Sequence, residues 1–262
     1  MKKELYKGTI KYGKENPNDL STLVFKEDAY NKKLTYTKDE MNYNVNFFIP
    51  EKLNDILSAD SSAKNIPVYF AVHGAGSSSY TFNSLCSYLK VLNPNIVFIA
   101  ADLRGHGDTR SNKEIPYNLS DFVKDTNYLV NESLITVFGN TLSKKVSLVF
   151  LGHSLGGSVC SSLLEEAKAN PNDEMNNYWK NNILGLVMLD IIEELAVNSL
   201  TKMTDVISRN INQFPYIKRC MNWHLGSGLP RNYESAKFSV LDLYSLENYA
   251  NDKYYLQRKS TL

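Results

Sequence analysis

The run Gly152-His153-Ser154-Leu155-Gly156-Gly157 sets one serine between glycines, directly after the apolar run Ser147 to Leu151 and before a segment of helical period, Leu155 to Ala169. A G-x-S-x-G sequence at a strand-to-helix bend is the arrangement that presents a serine hydroxyl as a nucleophile. So tight a turn forces Ser154 into a strained backbone conformation. Glycine on both sides keeps Cβ atoms out of the bend, and the strain serves presentation of Oγ. The N–H groups that open the following helix, together with its dipole, favour negative charge where a tetrahedral intermediate would form. The chemistry that these residues can do is acyl transfer at Ser154.

Such a reaction needs an oxyanion hole, an acid and a base. His73-Gly74-Ala75-Gly76, followed by Ser77, Ser78 and Ser79, closes the apolar run Val68 to Val72 and is the loop that supplies half of an oxyanion hole in this arrangement. The backbone amides of Ala75 and Leu155 are the two expected donors, each worth about 3 to 4 kcal/mol in the transition state. His73 itself reads as a hydrogen-bonded loop histidine. Asp190, at the end of Ile183 to Leu189, is the expected triad acid. Glu193 and Glu194 fall past that strand end, where a carboxylate complements a helix N-terminus instead.

The turn Asp102-Leu103-Arg104-Gly105-His106-Gly107-Asp108 precedes the serine and reads as structural, held by internal ion pairs and hydrogen bonds, with His106 at the pocket mouth. The base is harder to place, because this chemistry usually takes its histidine last in chain order. His73 and His106 come before the elbow, His153 lies inside it and is expected to point elsewhere, and His224 sits in a helical stretch. None follows a late strand. The expectation is a C-terminally truncated chain, its sheet stopping two strands short.

Positioning these groups requires parallel strands. Val68 to Val72, Ile96 to Ala101, Ser147 to Leu151 and Ile183 to Leu189 are rich in Val, Ile, Leu and Phe. They stand roughly thirty to fifty residues apart, as buried parallel strands joined by helical crossovers do. The fold class is α/β with a mostly parallel sheet flanked by helices. Leu119 to Val130 is helical in period with Ser120 as N-cap, and Leu155 to Ala169 stops at Asn170-Pro171. Ile191 to Ser208, Tyr216 to His224 and Glu234 to Leu246 read as helices, hence a helical, cap-like insertion. The stretch Asn170 to Asn182 reads as an exposed loop. The chain is expected to form a single, incomplete domain over 1–262: a polar leading segment over 1–66, a core over 67–192 and the insertion over 193–246. The leading segment contains one alternating stretch, Tyr43 to Ile49, and a loop or short helix from Glu51 to Asn65.

Composition narrows the function classes. Among 262 residues, 29 Lys plus Arg balance 28 Asp plus Glu to a net charge of +1, which argues against a nucleic-acid reader built on a basic face. Hydrophobic residues at 43% and charged residues at 22% support a packed core rather than disorder. No stretch approaches the roughly eighteen apolar residues of a membrane span. The expectation is a soluble, intracellular protein of the cytoplasm, the nucleus or both. Cys86, Cys160 and Cys220 are too scattered for a zinc site and read as reduced packing thiols. Without a metal cluster or a phosphate or dinucleotide loop, no cofactor is expected.

Later motifs discriminate further. Val187-Met188-Leu189-Asp190-Ile191-Ile192-Glu193, the segment Ala196 through Met203, and Arg231-Asn232-Tyr233-Glu234-Ser235-Ala236-Lys237-Phe238-Ser239-Val240 resemble the protein phosphatase methylesterase family of α/β-hydrolases. The resemblance runs from about Val68 to Val240. It implies an α/β-hydrolase fold, a nucleophile at Ser154, an acid at Asp190 and a histidine beyond Leu262. The implied activity removes the methyl ester from the C-terminal leucine of the protein phosphatase 2A catalytic subunit, whose methylated tail would be the partner. This chain departs from the family at Glu193-Glu194-Leu195-Ala196, where the family has Glu-Gly-Thr-Ala. Two other readings stand beside it: a catalytically silent phosphatase-binding module, motivated by the unplaced base, and a small-molecule esterase on the same scaffold. An epoxide-type hydrolase would carry Asp at the elbow.

Overall fold

A computed structural model describes residues 29–58, 65–140, 142, 146–170, 178–190, 211–227, 233–249 and 253–259. Its centre is a parallel array in which β3 (Ile66–Val72) lies between β4 (Val97–Ala101) and β6 (Val146–His153), and β7 (Ile183–Leu189) pairs with β6. These are the four apolar runs of the sequence. Successive side chains of a strand point to opposite faces, and both faces are covered. Phe70, Ile99, Leu148 and Phe150 pack with residues of the helices α3 (Leu119–Phe138) and α4 (Leu155–Ala169), whereas Ala71, Phe98, Ala100 and Leu151 pack toward α2 (Asn83–Leu92) through Cys86.

Two further strands extend the sheet from within the polar leading segment. β1 (Lys32–Lys38) and β2 (Met41–Phe48) form an antiparallel hairpin, and β2 pairs antiparallel with β4, giving the order β1-β2-β4-β3-β6-β7. A short β5 (Arg110–Ser111) also pairs with β2. The expected short helix after Tyr43 to Ile49 is α1 (Leu53–Ser58).

Four local expectations are corrected. Helix α3 is capped by Asn118, not Ser120: Asn118 and Asp121 form a reciprocal capping box that satisfies the free amides of the first turn. The stretch up to Asn182 is not simply an exposed loop, because Trp179 is fully buried and meets Phe150 edge-on, with ring centroids 5.5 Å apart. His106 does not stand at a pocket mouth, since it too is fully buried.

The fourth concerns the insertion, which is not all helical. Helices α5 (Ile217–Ser227) and α6 (Tyr233–Leu243) are present, but the second stops at Leu243, and the chain continues as β9 (Tyr244–Tyr249) and β10 (Lys253–Arg258). With β8 (Gln213–Phe214) these make a three-stranded antiparallel sheet. Tyrosines flanking a short polar connection are strand and hairpin chemistry. This outer unit has its own core of Phe214, Ile217, Cys220, Met221, Ala236, Val240, Tyr244 and Leu256. The expected helix Ile191 to Ser208, Glu193 and Glu194, and the motif residues Arg231 and Asn232 lie outside the described residues.

All three cysteines are buried thiols, as packing cysteines should be. Burial pushes the Cys160 and Cys220 thiols up to about 12. No helix among the described residues is long and apolar enough to cross a membrane.

Candidate active site

The parallel register brings the critical turns to one level: Val72 lies opposite Gly152, Gly152 opposite Met188, and His153 opposite Leu189. Ser154 follows immediately at φ 49° and ψ −119°, a left-handed conformation in a residue with a Cβ. Such a conformation persists only where its surroundings over-determine it. Here they do. A Cβ at Gly156 would overlap the Val72 carbonyl, and one at Gly152 would run into the backbone of Gly157, so only glycine lets α4 start this close to β3. The Ser154 amide donates to the Leu189 carbonyl at 2.9 Å. That bond joins the elbow to the end of β7, where Asp190 also takes a positive φ, 56°.

The loop after β3 packs on the elbow. A Cβ at Gly74 would come within 3.1 Å of the Ser154 Cβ and 2.8 Å of His153 Nδ1, so glycine is required there as well. Ala75, the next residue, is exposed, and Leu155 opens α4 as its first residue. Both expected oxyanion donors therefore flank Ser154, one on the loop packed against it and one on the helix that it starts.

His73 behaves as a structural histidine. Its Nδ1–H donates to the Gly74 carbonyl at 2.7 Å, and its Nε2 accepts from the Leu103 amide at 3.0 Å. Burial, and then the neighbouring His106 ring 5.1 Å away, hold its pKa well below the usual histidine value, so it stays neutral. The turn Asp102 to Asp108 is held by internal hydrogen bonds, including one from the Asp108 amide to Asp102 at 2.8 Å, but its ion pairs reach other elements instead of closing within it. Arg104 forms a two-pronged pair with Asp125, Nε to Oδ2 at 2.7 Å and an Nη2 hydrogen bond to Oδ1 at 2.8 Å. The Tyr43 hydroxyl donates to the same carboxylate at 2.6 Å, and burial followed by that bond raises the phenol's pKa.

The four histidines divide clearly. His106 donates from Nδ1 to the Arg104 carbonyl at 2.8 Å, and burial lowers its pKa. His224 lies in the outer unit's core against Trp223 and Tyr244, and burial, then Arg258, push its pKa down to about 4. His153 has a neighbour that the sequence did not suggest. Its Nε2 stands 3.9 Å from the Asp190 carboxylate, while its Nδ1 is buried against the loop. The sequence carried no signal for this contact, because the strand register that creates it pairs residues 36 positions apart. Asp190 is otherwise open, its side chain 88% exposed. Among the described residues, no group of three or more His, Cys, Asp or Glu is arranged to hold a metal ion.

A strained serine between a loop and a helix start that both carry backbone amides, with a carboxylate at the next strand end, is a serine-hydrolase arrangement. The family described as serine aminopeptidase, S33, matches residues 63–262. The chain belongs to that family. Solved structures share the fold: an alpha/beta hydrolase from Novosphingobium aromaticivorans has a TM-score of 0.57 at 15% identity, covering 89% of this chain and 70% of that one. E-2-(Acetamidomethylene)succinate hydrolase has a TM-score of 0.55 at 18% identity, covering 87% and 69%.

Curated relatives are closer in sequence. Protein phosphatase methylesterase 1 of Kluyveromyces lactis is 35% identical over 223 residues, covering 82% of this chain and 52% of the relative. The protein of the same name from Saccharomyces cerevisiae is 31% identical over 220 residues, with the same coverage. The chain spans about half the length of these relatives. The resemblance seen in its motifs is thus also found over most of its length.

Proposed function

We propose that the protein is a serine carboxylesterase that removes the methyl ester from the C-terminal leucine of the protein phosphatase 2A catalytic subunit. The observation that carries this reading is the elbow: Ser154 at a positive φ, packed against the Gly74 loop and hydrogen-bonded through its amide to the strand end that bears Asp190. The likeness to relatives named protein phosphatase methylesterase 1 supports a protein phosphatase as the substrate. Ser154 Oγ bonds to the ester carbonyl carbon while its proton passes to a base, and the Ala75 and Leu155 amides hold the resulting oxyanion. Collapse breaks the bond to the methoxy oxygen, and methanol departs with that proton. Water then adds to the acyl-serine, releasing a free carboxylate and regenerating the hydroxyl. Asp190 orients the imidazole that serves as base. The outer unit offers the surface on which a protein substrate's tail would lie.

The decisive experiment incubates methylated phosphatase with the protein and follows the C-terminal peptide by mass spectrometry. A loss of 14 mass units (about one CH2), abolished by Ser154→Ala, is expected; an ester that persists equally with both proteins rejects the reading. The placement of the four histidines favours one alternative, a phosphatase-binding module without turnover. A fluorophosphonate probe separates the two: labelling of Ser154 requires an activated hydroxyl and excludes the silent module. Turnover of short nitrophenyl esters with no action on the phosphatase would instead indicate a small-molecule esterase.

A further inference from the structure

The turn after β4 touches more of the site than its own hydrogen bonds require. Asp102, 2% exposed, accepts from three donors: the Ser79 amide at 2.7 Å, the Asn44 side-chain amide at 2.8 Å and the Asp108 amide at 2.8 Å. Ser79 begins the 3₁₀ turn that closes the Gly74 loop. The next residue, Leu103, donates to His73 at the loop's other end. Two consecutive residues therefore grip both ends of the segment that carries the Ala75 amide.

Asp108 lies six residues further on, and its carboxylate faces outward. It meets Lys33 Nζ of β1 at 2.5 Å and Lys259 Nζ at 3.0 Å. Lys259 follows β10, and its own amide donates to the Leu243 carbonyl at the end of α6, so one residue gathers two elements of the outer unit. Helix α6 also packs on the 3₁₀ turn Ser79–Phe82. Although partial burial of the Asp108 carboxyl works to raise its pKa, the two lysines outweigh it and hold the value at about 2. The pair is formed at all ordinary pH.

We propose that Asp108 is a positioning residue: through Lys259 it fastens the outer unit to the turn that grips the oxyanion loop, so that the seating of the outer unit sets the loop's placement beside Ser154. The consequence for catalysis rests on the esterase reading, whereas the mechanical link does not. A protein substrate lying on the outer unit would thereby act on the loop from a distance, through the chain Lys259, Asp108, Asp102 and Ser79. Isolated pairs at a protein surface contribute little to overall stability, so the effect should be local.

Hydrogen exchange read by mass spectrometry tests the link on the intact chain. Lys259→Met and Asp108→Asn should each speed exchange of peptides spanning 73–80 and 102–109 by about tenfold, with α3 and β6 unchanged; Lys259→Arg should restore native protection. The unmutated chain in about 1 M salt should move in the same direction, because screening weakens half-exposed pairs, and this arm needs no variant to fold. Increased exchange confined to 253–259, with the loop and turn unaltered, overturns the proposal. Fluorophosphonate labelling of Ser154 is the second readout, expected to slow about threefold in Lys259→Met and recover in Lys259→Arg. If the unmutated chain does not label at all, the esterase reading fails while the exchange result still decides the link.

Discussion

The two flanks of the sheet are built differently. On the β3 and β4 side, His73, Asp102, Arg104 and His106 are all buried; the first three are hydrogen-bonded to a neighbouring loop or helix, and His106 to the Arg104 carbonyl of its own turn. On the β7 side, Leu184 is 70% exposed, Val187, Met188 and Leu189 are also exposed, and Asp190 stands open. The closed flank keeps its geometry through side-chain networks, whereas the open flank depends on the backbone: the Ser154–Leu189 hydrogen bond and the positive φ of Asp190. One half of the site is therefore sensitive to mutation of charged side chains, and the other is sensitive chiefly to its strand pairing.

Breaking the closed flank should have the largest effect on stability. Arg104→Met leaves the Asp125 carboxylate buried without its cation, and loss of one partner of a buried pair costs about 3–5 kcal/mol; a denaturant midpoint that barely moves would contradict the contrast. Gly156→Ala comes next. Its Cβ meets the Val72 carbonyl rather than a movable side chain, so a loss of about 1–3 kcal/mol is expected, together with slowed phosphonate labelling.

Acid should act on the closed flank in a defined direction. His73 and His106 have folded-state pKa values below the ordinary 6.5. The unfolded chain therefore takes up protons first, and stability should fall as pH drops below about 6.5. A midpoint independent of pH between about 7 and 5 would refute this. Asp108 works in a lower window, because its depressed pKa makes its contribution full above about 4 and lost as pH falls through about 2. The smallest effects belong to the open flank. Leu184→Lys should shift stability by less than about 0.5 kcal/mol, as exposed substitutions do, and Asp190→Asn should be equally mild in melting while impairing Ser154 labelling.

How much of this was legible in the sequence depends on where each residue's partners lie. The elbow, the four parallel strands and Asp190 at the end of β7 could be read locally, because apolar runs ending in Gly- or Asp-bearing turns carry their own signal. The hairpin β1–β2 could not be read as part of the main sheet. Asn44 and Asn46 interrupt its apolar pattern, yet both are buried, their side-chain N–H groups donating to Asp102 and Ser79. Burial of such residues is set by acceptors 33 and 58 positions away. Similarly, β9 and β10 pair antiparallel with each other, while the leucines and tyrosines that precede them keep a helical rhythm. The contact between His153 and Asp190 depends on strand register and lies beyond any periodicity.

Because the first turn of α4 is pressed against the Val72 carbonyl with no room for a single methyl group, the start of that helix and the end of β3 can shift only together. Selection acting on substrate preference has no slack to work with there. On the proposed esterase reading, room for a change in the accepted ester lies in the peripheral segments that frame this junction.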